Sequence, residues 1–471
     1  MVILYDNFLR EYEMRTSESQ LSTRRELIRQ LAVARMYSGI SQEEMALRLG
    51  TQKPNISRLE SGEQNITIDM FIRYTEALGK ALNLTISDPA PDVASDTEYS
   101  LRLYDEELLR FCFRREGLHL YAEITDIDAG NHELLPMGLI ASENGVIDWL
   151  TERVLPGTRE FAGDILRCLN LEISNLKGIV DASKCLSLND SYWVAPTDYD
   201  GSFYDLNLFE SYFDNLLTIA AFTGGSKLSK RFTLSPELTT NGQLRKAWRR
   251  YGEDSILLYK GGSEGFANTG NEPFSEYYAS QIAHQMNLHA VKYDLEVWRG
   301  VPASKCPIFT DIDTAFVPAC DIVRSGDMRD CLAYYKKLGE DFYDELCSML
   351  IFDAVIYNES RHFSDFGLLR DNRSGNLISP APIFDNGVSL FCYARREDFD
   401  NLSDYAAARS TPYGMGYDEI CHIALGRNQK AQLRRLLGFK FKRSDTIDLP
   451  EWRITAIENQ VQKRIKEILA M

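Results

Sequence analysis

The stretch from Met349 to Gly387 constrains the fold of this chain more than any other part of its sequence. An apolar run that ends near Tyr357 predicts a buried helix, and the polar loop NESRHFSDFG follows at residues 358–367. FGLLRD then predicts a strand, NRSGN a hairpin turn, and LISPAPIFDNG a returning strand that ends at Asp385. A loop with a histidine, an arginine and a carboxylate between a helix and a hairpin indicates an α+β unit that handles phosphate and metal.

Two carboxylates of this stretch are candidates for a metal site. Asp365 and Asp385 lie on the two sides of the predicted hairpin, so they could meet at one divalent cation. Mg²⁺ is bound by few protein oxygens together with substrate phosphates, so two carboxylates are enough. The sequence therefore predicts a magnesium site made by these two residues.

A second set of candidate residues lies upstream. The apolar run ILL predicts a buried strand with Lys260 near its end, and the next amphipathic helix carries Glu276 near its start. Such a lysine can bind phosphate oxygens, and kinases hold it with a glutamate of the following helix. The turn TTNG at 239–242, which contains Thr240 and Gly242, offers hydroxyl and N–H groups to an anion. Taken singly, the lysine could be a solvated strand end and the glutamate a solvated helix carboxylate.

The N-terminal segment predicts a compact helical unit. Ser22 and Gly39 bound its first predicted helix. Ser41 caps the second helix, Glu44 follows three residues later as in a capping box, and Gly50 ends it.

The next predicted helix, in TQKPNISRLESGE, has Pro54 in its first turn, where a missing N–H does no harm. Ile56 and Leu59 face inward. Two short helices joined at a glycine, the second with polar and basic groups outward, form a helix-turn-helix reader of double-stranded DNA. The alternative is a small helical bundle with an ordinary polar surface. The outward residues are Gln52, Lys53, Asn55, Ser57 and Arg58.

The charge distribution limits where DNA can bind. The chain has a formal net charge of −17, but residues 1–90 hold 11 Lys/Arg against 12 Asp/Glu. Any DNA contact must therefore come from the N-terminal segment, and the acidic remainder must face away from the DNA. The near-neutral charge of that segment implies modest affinity for one module and favours a dimer.

Composition argues against a membrane or secreted protein. No apolar run reaches about 18 residues, the length that predicts a membrane helix. The N-terminus lacks the features of a secretory signal. The nine cysteines are scattered singly, and none lies at metal-binding spacing from another cysteine or a histidine. We expect buried free thiols in a reducing cytoplasm.

The middle third alternates strand-like and helix-like runs. LHLYAEI and HELLPMGLI predict strands, and GVIDWLTERVL and TREFAGDILRCL predict helices. CLSLNDSYWVAP at 185–196 predicts a structural corner with Asn189 and Asp190 in turns, and a ligand loop is the alternative. SDPAPDVASD at 87–96 predicts a linker. The terminal helix in LPEWRITAIENQVQKRIKEILAM has one apolar side, which either joins the core or binds a partner helix.

The run GISQEEMALRLGTQKPNISRLESGE closely resembles the Xre/Cro-type helix-turn-helix family. The resemblance implies that Gln52, Asn55 and Arg58 approach base edges. Such modules usually read palindromes as dimers, so the implied partners are operator DNA and a second copy of the chain. The residues implied to bind phosphates or neighbouring bases are Thr51, Lys53 and Ser57.

From about residue 100 to its end, the chain resembles the HipA-like Ser/Thr kinases, whose fold is related to protein kinases. The resemblance is carried by SLNDSYW, SPELTTNG, NEPFSEYYASQIA, APIFDNGVSLF and a catalytic loop of the form Asn-x-Asp-Arg-His-x-x-Asn-Phe-Gly. It implies ATP and Mg²⁺ as cofactors, catalytic roles for Arg361 and His362, a metal role for Asp385, and a nucleotide-holding pair of Lys260 and Glu276. The positions that match the loop are Asn358, Arg361, His362, Phe366 and Gly367.

Two positions depart from that pattern. Ser360 replaces the catalytic Asp, and Asp365 replaces a metal-binding Asn. The second change is mild because Asp binds Mg²⁺ well, but loss of a positioned base commonly costs about 10²–10⁴ in rate. Glu359 is adjacent, but neighbouring side chains on an extended loop point apart. The chain is either a natural pseudokinase that binds nucleotide as a signal, or a kinase silenced by substitution at this position.

These features predict a multidomain protein, with an all-α helix-turn-helix domain followed by an α+β, two-lobed, kinase-like domain. The predicted function is a cytoplasmic HipA-like kinase with its own DNA-binding module, as in a toxin–antitoxin unit or prophage regulator, acting on a protein such as a translation component. The alternatives are a nucleotide-sensing transcriptional regulator and a mere dimerisation scaffold. The predicted divisions are a helical extension at 1–20, the helix-turn-helix domain at 21–86, the linker at 87–96, an accessory subdomain at 97–225, a nucleotide-binding lobe at 226–318 and a helical C-lobe at 319–471.

Overall fold

A computed structural model gives the fold of the chain. It describes residues 24–471 apart from isolated positions between 25 and 39, the segments 61–65, 81–96, 117–118, 226–233, 253–254 and 265–268, and residue 325. The predicted extension at 1–20, the linker at 87–96, and the predicted helix bounds Ser22 and Gly39 lie outside the described residues.

The N-terminal domain is helical, as predicted. Helical positions between residues 24 and 35 precede helices α1 (Gln42–Arg48), α2 (Lys53–Glu60) and α3 (Ile68–Ala77). These elements share a core. The buried residues of this core are Leu31, Ile40, Met45, Ala46, Leu49, Ile56, Leu59, Phe71, Tyr74 and Leu78.

The turn between α1 and α2 is set by Gly50. Gly50 has φ 65°, a left-handed conformation that favours glycine. Its N–H donates to Leu47 O, and the N–H of Thr51 donates to Ala46 O, which is the Schellman arrangement at a helix C-terminus. At the other end of α1 the Ser41 hydroxyl accepts from the Glu44 N–H, so the cap is confirmed. The Glu44 carboxylate, however, accepts from Arg48 rather than closing a capping box.

A buried ion pair joins the elements of this domain. Arg35 donates twice to the Glu60 carboxylate, at 2.7 and 2.9 Å, and Gln42 donates to it at 2.9 Å. The hydroxyl of Tyr74 on α3 also donates to it. Four elements therefore share one carboxylate, and this network fixes the position of α2 against the domain core.

The middle part of the chain is a four-stranded antiparallel sheet with helices. Its strand order is β3-β2-β1-β4. The strands are β1 (Glu98–Leu103), β2 (Glu106–Glu116), β3 (His119–Ile127) and β4 (Tyr192–Pro196). The helices are α4 (Glu143–Arg153), α5 (Ala162–Cys168), α6 (Leu176–Ser183), α7 (Phe203–Leu206) and α8 (Asn215–Thr223).

One predicted strand of this part is wrong. HELLPMGLI contains a 3₁₀ turn at His132–Leu134 and then irregular chain. Pro136 lacks an N–H group for the β-ladder, and Gly138 lies against the Asp321 carboxylate. This run therefore lines the wall of a cavity instead of joining the sheet. The structural corner predicted at 185–196 is present, because Trp193 is buried and its indole N–H donates to Tyr104 O.

The third part begins with a second antiparallel sheet of order β5-β6-β8-β7. Its strands are β5 (Lys246–Tyr251), β6 (Ser255–Gly261), β7 (Asp294–Trp298) and β8 (Val301–Pro307), with α9 (Glu272–Met286) between β6 and β7. A 3₁₀ turn, Pro236–Leu238, precedes β5.

The last part is helical around a short sheet of order β11-β10-β9. The strands are β9 (Thr314–Pro318), β10 (Gly367–Asp371) and β11 (Leu377–Pro380). The helices are α10 (Ala319–Ile322), α11 (Met328–Leu338), α12 (Glu340–Ile356), α13 (Leu402–Ala407), α14 (Tyr417–Ala424), α15 (Arg427–Arg434) and α16 (Glu451–Ala470), with a 3₁₀ turn at Glu397–Asn401. The apolar side of α16 packs in the core of this part.

The hairpin predicted after the loop 358–367 is present but shorter than predicted. The helix α12 ends at Ile356, and Tyr357 caps it in a left-handed conformation. The returning strand stops at Pro380, so the prediction of a strand up to Asp385 is wrong. Pro380 and Pro382 remove ladder N–H groups, and the chain continues as an irregular segment with one parallel bridge, Ala290 to Ile383.

All nine cysteines are buried, as expected, and none of them forms a disulfide bond. Within the described ranges, we find no helix with the length and apolarity needed to cross a membrane.

Candidate functional site

A cavity of about 320 Å³ opens between the two sheets of the C-terminal half. One part of its wall is apolar and aromatic. The rings of Phe309, Phe316 and Phe384 pack against one another with centroids 5.3 to 5.7 Å apart. The opposite part is charged and holds Lys246, Lys260, Asp365 and Asp385. An apolar slot beside a charged patch suits a ligand with a flat ring at one end and anionic groups at the other.

Lys260 lies at the centre of the charged part. It projects from β6, is 7% exposed, and its ammonium group contacts the carboxylate of Glu276 on α9. It also lies 2.5 Å from Asp385 Oδ1. Burial would lower the pKa of Lys260, but the two carboxylates outweigh it and hold that pKa above its ordinary range. The predicted spacing of lysine and glutamate therefore does produce an ion pair, and neither residue is a solvated surface group.

Lys246 is a second buried cation that sequence reasoning did not identify. It lies opposite Lys260 in the β5–β6 register and is also 7% exposed. Among the described contacts its ammonium group has no ion pair. It lies so close to Gly242 that a Cβ there would be 2.0 Å from Nζ. Burial lowers the pKa of Lys246 to about 8. A basic residue four positions after a glycine turn was the only available sequence signal.

The predicted anion turn at 239–242 is held rigidly by a buried ion pair. Arg159 donates to the Glu237 carboxylate at 2.8 Å and to the carbonyl oxygens of Glu237, Thr240 and Lys246. The Thr240 hydroxyl donates to Pro236 O and accepts from the Trp248 indole. Thr240 is therefore used to shape the turn, whereas Gly242 leaves room for the Lys246 ammonium group.

Arg361 clamps the loop 358–367 to the segment that carries Asp385. Its guanidinium makes two 3.0 Å hydrogen bonds to Asp353 of α12 and one of 2.6 Å to Asn386 Oδ1. It also donates to the carbonyls of Asp365 and Phe384. Arg361 is 1% exposed. These contacts make it a positioning residue, since its donors face protein groups rather than the cavity.

Three neighbouring side chains show what the loop can do chemically. Ser360 carries no carboxylate, and its N–H donates to Asn358 Oδ1. Glu359, the neighbouring carboxylate, lies 3.3 Å from Arg409 and is not part of the cavity wall. His362 is held by its backbone N–H to Asp365, and burial together with the charge of Lys80 lowers its pKa to about 4. With a pKa of about 4, His362 is a weak proton acceptor, and the Ser360 hydroxyl is not basic near neutral pH, so neither of these two side chains is poised as a general base.

Asp365 and Asp385 both line this cavity. Burial and the negative charge of Asp385 raise the pKa of Asp365 to about 7. Burial opposes ionisation of Asp385 as well, but Lys260 and Lys246 outweigh it and hold that pKa below its ordinary range. Asp385 has φ 55°, an uncommon backbone conformation for a non-glycine residue. Two close carboxylates that repel one another fit a bound cation, which would relieve the repulsion.

A cation here would depend on ligands that the protein does not supply. Among the described residues, no group of three or more His, Cys, Asp or Glu has metal-binding geometry. Mg²⁺ commonly takes one or two carboxylates and completes its shell with water and phosphate oxygens. The donor set fits Mg²⁺ brought in with a phosphate ligand better than a permanent metal.

The predicted DNA-reading residues lie on α2 and in the turn before it. Gln52, Lys53, Ser57 and Arg58 are exposed, and the Asn55 amide donates to Thr51 Oγ1 at 2.9 Å. Arg58 donates to Asn55 Oδ1 at 2.9 Å. The polar surface of this helix is therefore accessible, while Ile56 and Leu59 bury its other side.

Comparisons with known proteins bear on both halves of the chain. Residues 33–84 match the model of a helix-turn-helix family. An uncharacterized HTH-type transcriptional regulator of Haemophilus influenzae is 31% identical over 74 residues, which are 16% of this chain and 71% of that protein.

The solved structures that resemble the chain include the following two. One belongs to the Shewanella oneidensis MR-1 toxin–antitoxin complex of HipA, HipB and operator DNA, with TM-score 0.46, 10% identity, and 79% of this chain and 99% of that chain covered. The other is the Helicobacter pylori proinflammatory kinase CtkA, with TM-score 0.39, 16% identity, and 48% and 93% covered. Through its N-terminal residues, this chain belongs to the helix-turn-helix family.

Proposed function

We propose that this chain is a DNA-binding regulator whose C-terminal half binds ATP with Mg²⁺ in a kinase-type site. The observation that carries the proposal is the buried Lys260, held between Glu276 and Asp385 at the edge of the cavity. A lysine paired with a helix glutamate, beside metal-binding carboxylates, is the arrangement that kinases use to hold nucleotide phosphates.

Each part of ATP has a matching part of the cavity. The aromatic slot of Phe309 and Phe384 would hold the base. Lys260 and Lys246 would bind phosphate oxygens, and Asp365 with Asp385 would bind Mg²⁺. When bound, ATP supplies the phosphoryl group and Mg²⁺ offsets its negative charge. The protein's own contribution is position, because Arg361 fixes the two metal-binding segments relative to each other.

Phosphoryl transfer by the present sequence should be very slow. A Ser/Thr kinase of the HipA type needs a carboxylate at position 360 to orient the acceptor hydroxyl and receive its proton. Ser360 does not provide it, and the pairing of Glu359 with Arg409 supports the view that no neighbour replaces it. These contacts favour the second candidate function, a regulator that senses nucleotide without transferring phosphate.

Calorimetry on the full chain tests the site. We expect Mg²⁺·ATP to bind the unaltered protein and to bind the Asp385→Asn variant at least about tenfold more weakly, a loss of about 1.4 kcal/mol. Asp126→Asn is the matched control, because Asp126 is an exposed carboxylate on β3 outside the cavity. Equal binding by the Asp385 variant would contradict the proposed site.

On the DNA side, we infer that α2 reads duplex DNA as part of a dimer. Support comes from the accessible polar face of α2 and from membership of the helix-turn-helix family. A self-repressing toxin–antitoxin unit or a prophage regulator would join the two activities in one chain.

A further inference from the structure

The helix-turn-helix domain reaches the catalytic lobe at two points, and the first is Glu44. A Cβ added to Gly414 would lie 2.7 Å from Glu44 Cδ and 3.1 Å from Glu44 Cγ. Gly414 lies in the loop between α13 and α14. The Glu44 side chain, which α1 holds with a 2.8 Å bond from Arg48, therefore rests directly on this loop.

The second point is Lys80, three residues after the end of α3. Gly79 has φ 67°, and its N–H donates to Glu76 O while the Lys80 N–H donates to Thr75 O. This Schellman arrangement turns the chain sharply away from the helix axis. It fixes the backbone of Lys80 at the edge of the domain.

Lys80 lies within electrostatic range of two residues of the catalytic loop, Asp365 and His362. Its side chain is only partly exposed, although lysines at the end of a small domain are usually solvated. Burial lowers the pKa of Lys80, the charge of Asp365 partly offsets this effect, and the charge of Lys80 in turn lowers the pKa of His362. The ammonium group thus lies within electrostatic range of the carboxylate that we assign to Mg²⁺.

We propose that the helix-turn-helix domain docks on the C-terminal half of its own chain, beside the catalytic loop, through the edge formed by Glu44 and Lys80. Gly414 adjoins the catalytic loop, because the ring of its neighbour Tyr413 lies 5.8 Å from that of Phe363. The reading surface of α2 stays exposed, so DNA can be bound in the docked form. The contact is small, but both partners belong to one chain, and a tether raises their effective concentration. The docking stands on its own, whereas its effect on nucleotide rests on the proposed function.

The docked domain and Mg²⁺ should compete. The Lys80 ammonium group and a metal ion would both neutralise Asp365, and two cations side by side repel one another. Binding of Mg²⁺·ATP should therefore weaken docking, and by reciprocity loss of docking should strengthen binding of Mg²⁺·ATP. In this way nucleotide occupancy controls the position of the DNA-binding domain.

A designed disulfide tests the docking. The Glu44→Cys, Gly414→Cys chain should form a disulfide without reductant, since Glu44 Cγ, one bond beyond Cβ, lies only 3.1 Å from the position of a Cβ at residue 414. A disulfide needs the two Cβ atoms about 3.5–4.5 Å apart. Background oxidation should be small because all nine native cysteines are buried. The control pair is Leu47→Cys with Gly414→Cys, because Leu47 lies on the same helix but is 76% exposed. An equal degree of cross-linking in both chains, or none in either, overturns the docking.

A second measurement avoids the left-handed backbone of Gly414, where cysteine is strained. In the full chain, Lys80→Met should bind Mg²⁺·ATP at least about fivefold more tightly than the unaltered protein, the lower end of typical coupling between sites. Lys466→Met, an exposed lysine of α16, should leave binding unchanged. Equal affinity in the Lys80 variant overturns the competition. If no chain binds Mg²⁺·ATP, the proposed nucleotide site fails, and the disulfide alone decides the docking.

Discussion

Lys246 and Lys260 lie directly opposite each other on neighbouring antiparallel strands, and both are buried. Like charges in this relationship destabilise a sheet. Lys260 is compensated by Glu276 and Asp385, but Lys246 has no ion-pair partner among the described contacts. The protein keeps a buried cation without a direct ion pair beside a glycine turn, which is the electrostatic requirement of an anion site.

The first prediction concerns the charge of Lys246. Lys246→Met should leave the melting temperature unchanged or raise it, because a buried charge is removed and the side chain still fills the strand. The same variant should bind ATP at least about tenfold more weakly, a loss of about 1.4 kcal/mol, because a phosphate contact is lost. Calorimetry and thermal unfolding measure the two effects. A variant that melts lower and keeps its affinity would mean that Lys246 is a structural residue.

The second prediction concerns the missing base. Ser360→Asp should raise phosphoryl transfer by about 10²-fold or more, because a carboxylate can then orient the acceptor hydroxyl and take its proton. A labelled-ATP assay on both chains measures this. Glu359→Gln serves as the control and should not change the rate, because Glu359 is paired with Arg409. Transfer by the Ser360 chain that disappears in the Glu359 variant would identify Glu359 as the base instead.

The sequence predicted those parts of the site that depend on local order along the chain. The pairing of Lys260 with Glu276 follows from a strand and a helix that are consecutive, and the cap at Ser41 and the turn at Gly50 follow from residue type. The prediction of a strand at HELLPMGLI was wrong because it followed the apolar residues of this run, whereas Pro136 and Gly138 interrupt a β-ladder.

The sequence pattern could not predict contacts between residues that are far apart in the chain. Arg361 was assigned to catalysis, but its contacts to Asp353 and Asn386 arise only when three separate segments meet. Lys246 becomes notable only once the strand register places it opposite Lys260. The approach of Lys80 to the catalytic loop involves two domains and has no local signature at all.

The third prediction concerns DNA reading. Arg58→Ala should weaken specific operator binding by about 1–3 kcal/mol if the guanidinium contacts a base. In the free protein this side chain donates to Asn55, so the pair would move together onto the DNA. Binding isotherms at fixed salt, with selected operator and scrambled duplexes, measure the effect. Arg110→Ala on β2 is the matched control, and equal losses in both variants would count against a base contact.

The last prediction concerns the stability of the helix-turn-helix domain. Glu60 is the shared acceptor of Arg35, Gln42 and Tyr74. Burial would raise the pKa of Glu60, but the Arg35 guanidinium outweighs it and holds that pKa below its ordinary value. A carboxyl group whose pKa is depressed on folding stabilises the fold above its unfolded pKa of about 4.3, and that stabilisation is lost as the pH falls through the folded value. The helix-turn-helix domain should therefore unfold in acid below about pH 4, because protonation of Glu60 removes its ion pair with Arg35.

Glu60→Gln should reproduce this loss at neutral pH. It leaves Arg35 as a buried charge without its partner, and breaking a buried pair costs about 3–5 kcal/mol. Hydrogen exchange of α1 to α3 in the full chain, followed from pH 7 down to pH 3, measures the effect within the domain. Glu76→Gln is the control, since Glu76 is exposed on α3. If the Glu60 variant kept full protection at neutral pH, the ion pair would not be what holds α2 in place, and the core of Met45, Ile56 and Tyr74 would have to do so alone.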